Sequence, residues 1–258
     1  MSRLFLNLNW VTVRSRYENS KDCFLTISIF ITCNVCACDT PQVAAFKAIP
    51  IDGAAIVFDF VSIEKESSNT SHSHEIGIDV IFFRCSDGTK TLIGQLPYLA
   101  DTGKIEDAFL YGTDNGTVEG LFVIHSVEIR SDTGVNYSGR YYTINDYKKD
   151  GDDFTRNEQL STYFGKGGDI FDENYKELLY IFPYKNKMSI LRSLKSEAYK
   201  KWRAGAPVNL VINKKTAIHN SPVLADVTRM YLLAGDVVSQ SEVEAGWLSV
   251  IYKTSKGK

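Results

Sequence analysis

The run Ala54-Ala55-Ile56-Val57-Phe58-Asp59-Phe60-Val61-Ser62-Ile63 is β-branched and aromatic, with no glycine or proline inside it. Side chains of this kind fit a pleated, half-buried surface, so the run reads as a strand. Working outward, Glu64–Glu75 is charged and rich in serine and histidine, which predicts an exposed loop. Ile76–Arg84 (IGIDVIFFR) is a second strand by the same criterion. Ser86-Asp87-Gly88-Thr89 places glycine where a tight turn needs positive φ. Thr91–Gln95 then returns as the hairpin partner.

The alternation of short apolar runs and turns continues downstream. Leu96–Glu106 reads as irregular and Ala108–Tyr111 as a short apolar segment. Thr113-Asp114-Asn115-Gly116 carries an Asn-Gly turn signal, followed by a strand over Val118–Arg130 with a bulge at Gly120. Arg140–Lys148 is a further strand, closed by the acidic turn Asp150–Asp153. Asn157–Phe164 reads as a helical turn ended by Gly165, and Leu178–Pro183 as a short apolar segment. One full helix is predicted, Lys187–Arg203. Its Met188, Leu191, Leu194, Ala198 and Trp202 recur at spacings of three and four, and Gly205 and Pro207 end it. The predicted fold class is therefore mainly β, in the α+β sense. A β-rich domain spans residues 38–186, a linker helix 187–205, and a second β-rich domain 206–258.

The C-terminal part carries three blocks in order. They are Lys215-Thr216-Ala217-Ile218-His219-Asn220-Ser221-Pro222, then Thr228–Asp236 ending in Ala-Gly-Asp, then Gly246-Trp247-Leu248-Ser249-Val250-Ile251-Tyr252. Their order and spacing resemble the bacterial SH3-like (SH3b) family over about residues 208–258. The resemblance implies a small SH3-like β-barrel. It also implies a binding role, with Tyr231, Trp247 and Tyr252 as candidate contact aromatics. The competing reading of those rings is barrel core. The family closes its barrel with one more strand, which the sequence here does not supply after Lys258, so the domain reads as incomplete unless another segment completes the sheet.

At the other end, Phe24–Cys38 (FLTISIFITCNVCAC) follows Lys21 and reads as the apolar core of a secretory signal peptide. It falls short of the roughly 17–25 apolar residues of a membrane span. A buried N-terminal strand is the competing reading. Val35-Cys36-Ala37-Cys38 resembles the lipobox of bacterial lipoproteins, which implies a lipid anchor on Cys38; Asp39 after it implies retention at the inner membrane. Ordinary cleavage after Ala37 is the alternative, and Cys38 then keeps its thiol. Met1–Ser20 is long for the segment ahead of such a core, and a start nearer Val11 or Val13 would give the usual length. Residues 1–37 are set aside for folding on this reading, which leaves Cys38 and Cys85 of the five cysteines. These two can pair in an oxidising compartment. Alone, Cys85 reads as a small buried hydrophobe.

A formal net charge of −2 argues against a nucleic-acid partner, which needs a basic stripe. The 44% hydrophobic and 12% aromatic content supplies a full core. Ser71-His72-Ser73-His74 lacks a third metal ligand nearby and reads as solvated loop. Gly165-Lys166-Gly167-Gly168-Asp169 lacks the spacing of a phosphate-binding loop and reads as a flexible turn. Asn69, Asn115 and Asn136 begin glycosylation sequons of the kind that also arise by chance. No catalytic motif is present, and no cofactor or metal is predicted.

The expectation is a non-enzymatic protein of the periplasm or cell envelope that binds peptidoglycan or a protein or peptide partner. Its rival is a periplasmic immunity or inhibitor protein against a secreted antibacterial toxin. A third reading, a wall hydrolase, needs Cys85 as nucleophile and His125 as its base.

Overall fold

A computed structural model describes residues 4–7, 11–12, 44–63, 75–113, 115–129, 135–244 and 247–251. Among the described residues, two strands precede residue 44: β1 (Leu4–Asn7) and β2 (Val11–Thr12). Next come β3 (Phe46–Ile51), β4 (Ala54–Ile63), β5 (Glu75–Arg84) and β6 (Lys90–Gln95), paired in chain order as a four-stranded antiparallel sheet. β4 and β5 pair along their whole length, from Ala54↔Arg84 to Ile63↔Glu75. The predicted turn holds at its base: Asp87 Oδ1 accepts from the Thr89 N–H at 2.9 Å, and Gly88 has φ +70°.

The second sheet contains β7 (Lys104–Gly112), β8 (Val118–Glu128), β9 (Arg140–Asp150) and β10 (Asp153–Arg156) in the order β10-β9-β8-β7. β7 begins inside the stretch expected to be irregular and is longer than Ala108–Tyr111. The register shifts between Tyr111↔Gly120 and Gly112↔Val118, which puts the irregularity at Glu119, one residue before the bulge expected at Gly120. Helix α1 (Glu158–Phe164) follows, with the Asn157 side chain accepting from the Leu160 N–H and Gly165 at φ +62° ending it. β11 (Lys166–Gly167) then pairs with β9, and β12 (Ile170–Phe171) with β13 (Leu178–Tyr180).

The predicted single helix is two, α2 (Lys187–Leu194) and α3 (Glu197–Arg203). The break has a local cause: Ser196 is extended, and its Oγ accepts from the Tyr199 N–H at 3.1 Å, so it caps a new helix. The last strands are β14 (Val208–Ile212), β15 (Thr216–His219), β16 (Val227–Leu232), β17 (Val237–Glu244) and β18 (Trp247–Ile251). Together with β1 and β2 they form a seven-stranded antiparallel sheet in the order β16-β15-β1-β18-β17-β14-β2. The expected closed barrel is thus an open sheet among the described residues. β1, from the other end of the chain, lies between β15 and β18 in that sheet. Residues 1–37 are therefore not dispensable to the fold as described. Tyr252, Cys38, His72 and His74 and the apolar run Phe24–Cys38 lie outside the described residues.

β8 explains the layering. Its central residues are buried on both faces, as in a strand sandwiched between layers. Leu121 and Val123 face Ile56, Phe58, Val80 and Phe82 of the first sheet. Phe122 and Ile124, on the alternate face, join Phe164 of α1, Ile190 of α2, Tyr199 of α3 and Leu210 and Leu248 of the last sheet in one continuous core. The helices are a packed layer in that core and not a spacer between separate domains. Among the described residues no helix is long and apolar enough to cross a membrane.

Candidate functional site: an aromatic groove beside the C-terminal sheet

A groove of about 590 Å³ opens where β9, β11, β12 and β13 meet the loop Pro222–Ala225. Its walls are mainly apolar and aromatic: Tyr137, Tyr141, Phe171, Leu179, Tyr180 and Val223 among them. Asn136, Lys166 and Glu173 are its polar and charged members.

Short-range bonds build the walls. Lys166 and Gly167 pair with Thr143 and Tyr142, which lays β11 alongside β9. Gly168 is required there, since a Cβ on it would sit 2.4 Å from the Arg140 carbonyl oxygen. The segment expected to be a flexible turn is thus pinned against the sheet. Tyr137 bridges to Ile170, and the Phe171 N–H donates to Asn136 O at 2.8 Å. Asn136 Nδ2 donates to Asp172 O at 2.8 Å. Asp169 ties the far side: its Oδ1 accepts from the Phe182 N–H at 2.9 Å, and its Oδ2 pairs with Lys185 Nζ at 2.7 Å.

The rings keep their phenolic protons. Burial pushes Tyr137 and Tyr141 above the ordinary tyrosine value, and Tyr180 further still. Tyr137 and Tyr141 meet edge to face with centroids 5.6 Å apart. Both are half-buried, so each keeps part of its ring for a ligand. Such a site is concave and apolar with a few polar groups at defined points, the usual composition of a small-ligand or peptide site.

The three aromatic residues singled out from the sequence fare differently. Trp247 lines the groove but is only 5% exposed. It stacks on Tyr180 at 5.9 Å and 14° and meets His219 edge-on at 5.1 Å, so its main role is core. Tyr231 is 52% exposed on β16, with Lys215 Nζ 4.2 Å from its ring centroid, and takes no part in the groove. Tyr252 lies outside the described residues. The sequence reading missed Tyr137, Tyr141, Tyr180 and Leu179. The glycine pair Gly167-Gly168 was the available signal, because consecutive glycines inside a non-turn segment mark close backbone approach.

The cysteine–histidine reading is corrected. Cys85 is half-buried and disulfide-bonded, so it is neither a free thiol nor a plain packing residue; its partner lies outside the described residues. His125 is fully buried, and its Nε2 donates to Thr102 O at 2.9 Å. Burial lowers its pKa, so the ring is neutral. A separate polar cluster, in which Ser126 Oγ donates to Glu106 Oε1 at 2.6 Å, is saturated by Arg140 and Lys104 at 3.2 and 3.0 Å from the same carboxylate. Burial raises the Glu106 pKa, but the Ser126 hydroxyl and the two cations outweigh it, and the carboxyl stays ionised. No group of three or more metal-ligating side chains occurs among the described residues.

Searches against family models, curated proteins and solved structures return no match to this chain.

Proposed function

We propose that the protein is an exported envelope protein that acts by binding, and that the groove between β11–β13 and the loop Pro222–Ala225 holds an extended peptide. The peptide belongs either to the cell wall or to a protein partner. The observation that carries this reading is the pair Tyr137 and Tyr141, half-exposed in an apolar groove with one Lys166 and one Glu173 at hand. Its volume, about 590 Å³, lies within the range typical of ligand sites. Aromatic walls bind a peptide through side-chain burial, and the two charges fix its direction.

The disulfide at Cys85 fits an oxidising compartment. Under cleavage after Ala37, Cys38 is the remaining partner for Cys85, so this reading favours ordinary cleavage over lipidation.

Retention on purified peptidoglycan tests the wall version. The full chain is expected to be retained, and Tyr141→Ala is expected to lose retention at least tenfold while keeping its thermal midpoint. Equal retention of both proteins removes the groove as the wall site. No retention of either removes the wall, and the peptide reading then stands or falls on a peptide-library screen with the same variant.

A further inference from the structure

The first strand of the chain lies between two strands from its last fifth. β1 pairs with β18 through Leu4↔Val250, Phe5↔Ser249, Leu6↔Leu248 and Asn7↔Trp247, and with β15 through Phe5↔His219. It is an interior strand, hydrogen-bonded on both sides. Leu6 is fully buried within the core cluster that holds Leu248 and Val250. Phe5, on the alternate face, lines a second cavity of about 360 Å³ together with Trp202, Val243, Trp247 and Ser249. The strand therefore offers apolar side chains to both faces at once.

Removing β1 would leave β15 and β18 each with an unpaired edge, and a hole where Leu6 sits. Unpaired backbone groups away from water are costly, and two facing sheet edges are a template for another strand. Secretory cleavage after Ala37 would remove this strand.

We propose that the gap between β15 and β18 is a strand-accepting slot. It is filled by Leu4–Asn7 in the precursor. After cleavage it is filled by an extended segment of a partner protein that carries adjacent apolar residues at the Phe5 and Leu6 positions. This rests on the export reading, because only cleavage vacates the slot. Backbone pairing on two sides supplies affinity, and the Leu6 pocket supplies selectivity.

The test uses the full chain with a protease site placed between Val13 and Asp22. That position is upstream of every cysteine, so the released fragment carries no disulfide link. After cutting, the fragment is expected to co-elute with the remainder on gel filtration. A labelled synthetic peptide of residues 1–13 is expected to exchange into the slot. The same peptide with Leu6→Asp is expected to compete at least tenfold more weakly, since it would bury a carboxylate. Loss of the fragment with no uptake of the wild-type peptide overturns the slot, whether the remainder stays folded or not. Equal competition by both peptides also overturns it.

The mass of the protein recovered from the envelope of an exporting bacterial host separates the two ideas. Retention of the residues ahead of Cys38 removes the cleavage and with it the partner strand, whatever the peptide does. Cleavage after Ala37 without peptide uptake overturns the slot and leaves the export reading standing.

Discussion

Tyr180 lies flat against Trp247, with ring centroids 5.9 Å apart and planes at 14°. Tyr180 belongs to the small sheet of the groove and Trp247 opens β18, so the stack joins the β-rich part to the C-terminal sheet. His219 meets the same indole edge to face, with centroids 5.1 Å apart. Trp247→Ala is expected to cost roughly 3–5 kcal/mol, the usual range for deleting a large buried ring. A double-mutant cycle with Tyr180→Ala should show a coupling of about 0.5–1.5 kcal/mol. Urea unfolding followed by fluorescence and by circular dichroism checks both. Because one core cluster runs through both parts, the two probes should report a single transition.

Asp146 gives a pH dependence with a definite sign. It is fully buried on β9, accepts from the Tyr111 hydroxyl at 3.2 Å, and leaves Oδ1 without a partner. Burial pushes its pKa up to about 7 from 3.8, while hydrogen bonds from Tyr111 and Asn157 only partly offset that. The folded state thus holds the proton more tightly than the unfolded chain. The resulting stability is fully present below pH 3.8 and is lost as pH rises to about 7, by about 1.4 kcal/mol for each pH unit between the two values. Asp146→Asn is expected to be more stable than the parent at pH 8 and close to it at pH 4. Denaturation midpoints at the two pH values decide this; a parent protein equally stable at both, after the same comparison with the variant, contradicts it.

The strands of the first sheet were legible because their signals are local. Ala54–Ile63 is both the predicted and the observed strand, and Asp87, Gly88 and Gly151 sit in the turns their chemistry demands. Lys187–Arg203 has a helical apolar spacing throughout, yet Ser196 breaks it, because a capping side chain acts locally and outweighs the period. β1 was not legible. Its place depends on pairing with residues at the opposite end of the chain, and no local pattern encodes a partner that distant. The groove was hidden for the same reason. Its tyrosines come from separate strands, and only the close approach at Gly168 marked it.

Gly168→Ala should open the groove wall. The added Cβ would meet the Arg140 carbonyl oxygen at 2.4 Å, and a backbone atom has little freedom to move aside. The expected cost is about 1–3 kcal/mol, as for other overpacked sites. Gly151→Ala is a control of another kind: open space surrounds its Cβ, but its φ of +60° carries a conformational cost. Ligand retention should fall for the Gly168 variant and not for the Gly151 variant. Thermal denaturation and the same peptidoglycan assay measure the two effects, and equal retention by both variants would count against the groove as the binding site.

Cys85 directly follows β5 in the turn that contains Asp87, and its disulfide ties this hairpin to a segment outside the described residues. Closing a loop in the unfolded chain typically stabilises by about 2–4 kcal/mol. Cys85→Ser is therefore expected to lose stability of that order. The variant should also become insensitive to reductant, whereas the parent should drop to the level of the variant when reduced. Thermal midpoints with and without dithiothreitol give all four values. A parent protein whose midpoint does not change on reduction would show that the bond contributes nothing to stability.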